Sequence, residues 1–198
     1  LPPAEPEESS LPTRALDDVR FIRATMERAV SFTSVPGWGG VLMGVVALLA
    51  APIAARTADR HGWLITWFGA ALLAILIGAS DMAQKARAER SSLLRGPGWR
   101  FAMALAPPLA AGALLTYFLF RAGLSDLLPG LWLLLYGVAV VGAGTFSIRA
   151  VKWMGVTFML AGAGTLLAPP AWGDACLAAG FGGIHIAYGI WIARTNRG

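Results

Sequence analysis

Along most of this chain apolar residues run together instead of alternating with polar ones. Six stretches, Gly37–Ala55, Gly62–Ser80, Phe101–Phe120, Leu128–Ile148, Trp153–Trp172 and Ala175–Ala193, contain no Asp, Glu, Lys or Arg. Crossing a hydrocarbon core about 30 Å thick at about 1.5 Å per residue takes roughly 20 residues of helix. Each run has about that length, and a helix satisfies its own backbone where no water can. The charges gather at the joins, as at Arg56, Asp59 and Arg60, at Arg95 and Arg100, at Arg121 and Asp126, at Arg149 and Lys152, and at Asp174.

Ahead of the first run the period changes. Leu16, Val19, Ile22, Met26 and Val30 recur at three- and four-residue spacing with arginines and acids between them, which predicts an amphipathic helix over 14–32. The expected organisation is a flexible segment over 1–13, a cytoplasmic amphipathic helix over 14–32 and a six-helix transmembrane domain over 33–198. The fold class is therefore all-α and polytopic.

Tryptophan gives a second view of the same boundaries, because the indole ring prefers the headgroup level. Trp38, Trp63, Trp99, Trp132, Trp153, Trp172 and Trp191 fall close to an expected span end, and Trp67 lies one turn deeper. Thirteen of the Lys and Arg residues fall in the N-terminal segment, the second and fourth loops and the tail, against three, Arg56, Arg60 and Arg121, on the other side. The positive-inside rule then puts both termini in the cytoplasm. The expected loop Ala86–Pro97 is basic and would attract anionic lipid.

Composition narrows the function classes. Only 14% of residues are charged and 57% are hydrophobic, whereas a soluble domain carries about 25% charge. The net charge of +5 sits in the gaps between apolar runs, so it marks membrane topology and no nucleic-acid partner is expected. One cysteine, Cys176, and two histidines exclude an internal disulfide and a Cys/His metal cluster. No carboxylate pair and no nucleophile triad falls within the spans, so no catalytic residue is assigned. Residues 1–10 are Pro/Glu-rich and lack the basic and apolar regions of a secretory leader.

Several residues within the spans have chemistry of their own. His185 lies in Gly180-Phe-Gly-Gly-Ile-His-Ile-Ala-Tyr-Gly189. On a regular helix Gly182 and Gly189 would share its face and leave a flat strip beside the imidazole, with Tyr188 close by. Such a strip admits the ring of a haem or a chlorophyll-type pigment with His185 as axial ligand. It equally admits a neighbouring helix, with the imidazole hydrogen-bonded to Tyr136, Thr157 or a backbone carbonyl. His61 opens the second run at a different depth, either as a further ligand or as a solvated interfacial residue. Pro107 and Pro108 remove two donors inside the third run and predict a kink, with freed carbonyls at Met103 and Ala104. Gly40 and Gly44, with Gly37 nearby, form a GxxxG surface for close helix packing, within the chain or against a partner.

The stretch Arg23-Ala-Thr-Met-Glu-Arg-Ala-Val-Ser-Phe-Thr-Ser-Val-Pro-Gly-Trp-Gly-Gly-Val-Leu-Met-Gly44, together with Leu127–Gly137 and Gly180–Gly189, resembles a family of bacterial multi-pass inner-membrane proteins with no assigned activity. The resemblance implies a bacterial inner membrane and no particular chemistry. The expected role is a non-catalytic integral subunit that packs with other membrane proteins, with copies of itself or with lipid and pigment-like ligands, as accessory subunits of respiratory and photosynthetic complexes do. The alternatives are a small transporter or channel for a neutral solute, built on the third and sixth spans, and a haem or chlorophyll carrier through His185.

Overall fold

The computed structural model describes residues 18, 19, 22, 35–88 and 96–195. The chain divides into two units, Leu1–Ser31 and Phe32–Gly198. Of the amphipathic helix expected over 14–32, only Asp18, Val19 and Ile22 are described; they are helical and exposed. The rest of that helix and the flexible segment over 1–13 lie outside the described residues.

The second unit is a polytopic all-α membrane protein. Its helices are α1 (Trp38–Ala54), α2 (Arg60–Ala88), α3 (Gly96–Arg121), α4 (Leu128–Gly144) and α5 (Arg149–Leu167). The sixth crossing is composite: α6 (Gly173–Leu177), a π-helical stretch (Ala178–Ile184) and α7 (His185–Thr195). Five crossings are long and apolar enough to span a bilayer, and α1 is a shorter apolar helix of 17 residues. At about 1.5 Å per residue α1 reaches roughly 26 Å, slightly less than the hydrocarbon thickness. No strand occurs among the described residues.

Helix ends differ from the apolar runs because hydropathy marks the edge of the oil, while backbone hydrogen bonding continues past it. α2 runs eight residues beyond Ser80 and carries Asp81, Lys85 and Arg87. α3 starts at Gly96, so Trp99 and Arg100 are helical. Of the basic loop expected over Ala86–Pro97, both ends are thus helix, and 89–95 lie outside the described residues. α4 stops at Gly144, short of Ile148, where Phe146 and Ser147 turn their N–H groups onto the carbonyls of Ala143 and Gly144 three residues back. α5 takes in Arg149 and Lys152 at its start and ends at Leu167, before Pro169 and Pro170.

Two seams hold the bundle together. In the first, α4 and α5 meet along Gly130, Gly137 and Gly144 on one helix and Gly155 and Gly162 on the other, each repeat seven residues apart. A Cβ at Gly162 would lie 2.5 Å from the Leu134 nitrogen, and one at Gly155 would lie 2.5 Å from that of Val141. These are backbone-to-backbone contacts, made where packing must replace the hydrophobic drive that lipid removes. In the second seam α1 lies on the sixth crossing: Gly37 meets Ala193, Gly40 meets Gly189 and Gly44 meets the carbonyl of Gly182. The sixth crossing also touches α5, closing the centre around Phe158, Leu133 and Leu177, all fully buried. α2 packs on α1, and α3 packs on α4.

α2 and α3 share no extended seam. They are joined at one end, where Arg60 Nη1 donates to the Gly123 carbonyl at 3.1 Å and the His61 ring meets Phe120 edge-on at 4.9 Å. Gly123 has φ +76°. The amide of Leu124 bonds to Leu119 O and that of Gly123 to Phe120 O, a Schellman ending that needs a left-handed residue there.

Candidate functional site

The gap between α2 and α3 forms a half-open cleft of about 410 Å³, within the range of roughly 300–1,000 Å³ that takes small molecules. Its rim is apolar and faces outward: Phe68, Leu72 and Ile75 of α2 and Leu109 of α3 are all exposed. Small residues, Ala71 and Ala74 opposite Gly112 and Ala113, keep the space open. Measured along α2, the cleft lies about 9 to 21 Å from His61, which is mid-bilayer depth. Trp132 and Tyr136 of α4 with Phe181 and His185 of the sixth crossing form its back wall.

The wall is fixed by hydrogen bonds between crossings. Trp63 and Trp67 on α2 both donate their indole N–H to Asp174 Oδ1 on α6, at 2.7 and 2.9 Å. Trp63 stacks on Trp132, with centroids 5.3 Å apart and planes 16° from parallel. Trp132 Nε1 donates to Thr116 Oγ1 at 2.8 Å, and Thr116 in turn donates to the Gly112 carbonyl at 2.7 Å. Thus Trp63, Trp67 and Trp132 belong to the bundle interior, while Trp38, Trp99, Trp153, Trp172 and Trp191 are exposed in the manner of an interfacial belt.

His185 is buried among aromatic rings, with Phe158, Tyr136 and Phe181 around it. Its Nδ1 lies 2.8 Å from the Phe181 carbonyl and its Nε2 lies 2.8 Å from Tyr136 Oη. Both ring nitrogens thus have a hydrogen-bond partner, and a neighbouring helix takes the strip that regular helical spacing would leave open. Gly182 and Gly189 do not flank the imidazole across an open strip; a Cβ at either would collide with α1, at Leu48 and at the Gly37 carbonyl respectively. For Gly182 the π-helical stretch is the physical reason, because its i→i+5 pattern takes an extra residue and rotates that glycine away from the histidine face; Gly189 keeps its regular helical spacing and is covered by α1 instead. Gly180, Gly182 and Gly183 are the signal that could have revealed it, since three glycines within four residues weaken the α-helix.

The other candidates separate from this site. Tyr188 Oη pairs with Thr157 Oγ1 at 2.9 Å, and Thr157 donates to the Trp153 carbonyl, so neither reaches His185. His61 is exposed and sits at the joined end of α2 and α3 with Phe120. Gly37, Gly40 and Gly44 lie in the seam with the sixth crossing. Pro107 and Pro108 lie inside α3, which runs on through both, with Pro107 facing outward and Pro108 lining the cleft. Pro108 deprives the Ala104 carbonyl of its helical donor, and that oxygen lies against Gly142 of α4.

Sequence reasoning missed three features. Asp174 stood only as a boundary charge. Asp81, one residue past an expected span end, is in the helix, where its Oδ2 is buried without a hydrogen-bond partner and the carboxylate abuts Gly39. The seven-residue glycine repeat of α4 and α5 was legible in the letters and went unread. Among the described residues no group of three or more His, Cys, Asp or Glu could hold a metal ion. No family model, no curated protein and no solved structure matches this chain, so any functional reading rests on this geometry and on the sequence.

Proposed function

We propose that this chain is a non-catalytic integral membrane protein that holds an apolar small molecule, drawn sideways from the bilayer, in the cleft between α2 and α3. The observation that carries this reading is the cleft itself: about 410 Å³ at mid-bilayer depth, apolar-rimmed and bounded by two helices that do not close on each other. The pins at Asp174 and at Thr116 keep the wall in place without filling the space. Among the described residues no Asp, Glu, Lys or Arg lines it, which favours an uncharged occupant over an ion. The reading includes a bacterial inner membrane with both termini cytoplasmic, supported by the thirteen-to-three division of Lys and Arg and by the family resemblance.

Native mass spectrometry of gently solubilised protein tests it. One apolar molecule per chain is expected, enriched over its share of the bulk membrane, and Ala113→Phe should displace it. If Ala113→Phe retains the same complement as the parent protein, the cleft is not the site. Recovery of a stoichiometric second membrane protein in place of a small molecule would support the role of a complex subunit instead.

A further inference from the structure

The hydrogen-bonding groups of the cleft wall are all spent in one direction. Phe181 O can only accept, so the bond at 2.8 Å requires the proton of a neutral His185 on Nδ1. Nε2 is then an acceptor, and the contact with Tyr136 at 2.8 Å has the tyrosine O–H donating to it. The remaining donors of the wall are used as well: Trp67 N–H on Asp174, Trp132 N–H on Thr116, and Thr116 O–H on the Gly112 carbonyl. What the side chains have left are lone pairs, on Tyr136 Oη and on Thr116 Oγ1.

From this polarity we infer that the cleft selects an uncharged amphiphile whose head carries a hydroxyl or N–H donor, and discriminates against one whose head offers only a carbonyl or ether oxygen. The inference deepens the reading of the cleft as a lateral ligand site and rests on it. A hydroxyl entering at mid-bilayer depth finds an acceptor where the surrounding lipid offers none, whereas a carbonyl finds no donor and leaves two acceptors facing each other. The relay also predicts how the preference is weakened. Removing the imidazole acceptor frees the Tyr136 O–H, which becomes the one donor in the wall. Removing the tyrosine hydroxyl instead bares His185 Nε2, still an acceptor.

The test uses three probes of one chain length, 2-hexadecanol, 2-hexadecanone and hexadecane, equilibrated in equal amounts with the full chain in detergent and read by native mass spectrometry. The alcohol should be retained roughly tenfold over the ketone, the worth of one buried hydrogen bond. Tyr136→Phe should keep the preference for the alcohol, and His185→Phe should narrow it, because the freed tyrosine O–H serves the oxygen of the ketone and that of the alcohol alike. If His185→Phe does not fold, the parent chain and Tyr136→Phe still decide the matter. Equal retention of all three probes by the parent chain, or a preference for the ketone, overturns the donor selectivity while leaving the cleft as a ligand site. Failure of every probe to bind saturably overturns the cleft reading itself.

Discussion

A methyl group added at Gly155 would lie 2.5 Å from the backbone of Val141, while one added at Gly112 would meet nothing nearer than a Leu135 methyl at 3.5 Å. Both glycines sit in apolar transmembrane helices and both face a neighbour, so composition does not separate them. What separates them is what the neighbour does. Along α4 and α5 the glycines let two backbones touch, and dispersion over the whole seam supplies the stability that lipid denies to simple burial. Along α2 and α3 small residues border an open space backed by α4 and the sixth crossing. In a membrane a small residue therefore signals close packing only where the two helices also meet along their length, as α4 and α5 do and α2 and α3 do not.

The largest expected effect strikes the seam. Gly162→Leu must push Leu134 and the Gly130 carbonyl away, and overpacking against backbone, which cannot rotate aside, should cost about 3 kcal/mol, the upper end of the usual range. Gly164→Leu, two residues along the same helix with open space around it, should not lower stability, since replacing a helix glycine is favourable by up to about 1 kcal/mol. Thermal unfolding in a mild detergent measures both, and equal effects at the two positions would dissolve the distinction between seam and surface.

Next comes the pin between cleft wall and sixth crossing. Asp174→Ala leaves the indole N–H groups of Trp63 and Trp67 without their shared acceptor. Hydrogen bonds to charged groups are worth about 1.5–3 kcal/mol, and water can replace part of the loss at this half-buried position, so about 2 kcal/mol is expected. Tryptophan fluorescence should shift in the same variant, because two of the eight indoles lose a carboxylate neighbour. An unshifted spectrum would show that the cleft wall does not depend on Asp174.

The difference between the two regions also explains what could be read from the letters. The six crossings were legible because transfer into oil depends on composition over a whole run, and the chain shows it six times. The ends were less legible: Asp81 and Lys85 are charged yet remain helical, since nothing in hydropathy says where backbone bonding stops. His185 stood out as a buried polar group, but its direction did not, because the π-helical stretch changes which residues share a face. The cleft was illegible for a further reason. It is made by two helices failing to meet, and that depends on the joins at Arg60 with Gly123 and at Trp67 with Asp174, each pairing residues more than sixty positions apart.

A smaller effect belongs to the joined end of α2 and α3. Gly123→Ala meets no neighbour, so its only cost is the left-handed backbone at φ +76°. That is worth about 1 kcal/mol. The same measurement of unfolding checks it, with Gly123→Asn expected to lose less, since asparagine tolerates this conformation.

The smallest effect on stability is the one that sharpens the comparison most. Ala113 is exposed within the cleft, so Ala113→Phe fills space without displacing backbone and should alter unfolding by no more than about 0.5 kcal/mol. The bulk that is ruinous at Gly162 should thus be nearly free at Ala113. If Ala113→Phe instead destabilises the fold by an amount comparable to Gly162→Leu, α2 and α3 close on each other in the membrane and the gap between them is no receptacle. A neutral outcome in unfolding, combined with loss of the bound molecule, would mean that the space is kept open for an occupant, since the fold itself does not need it empty.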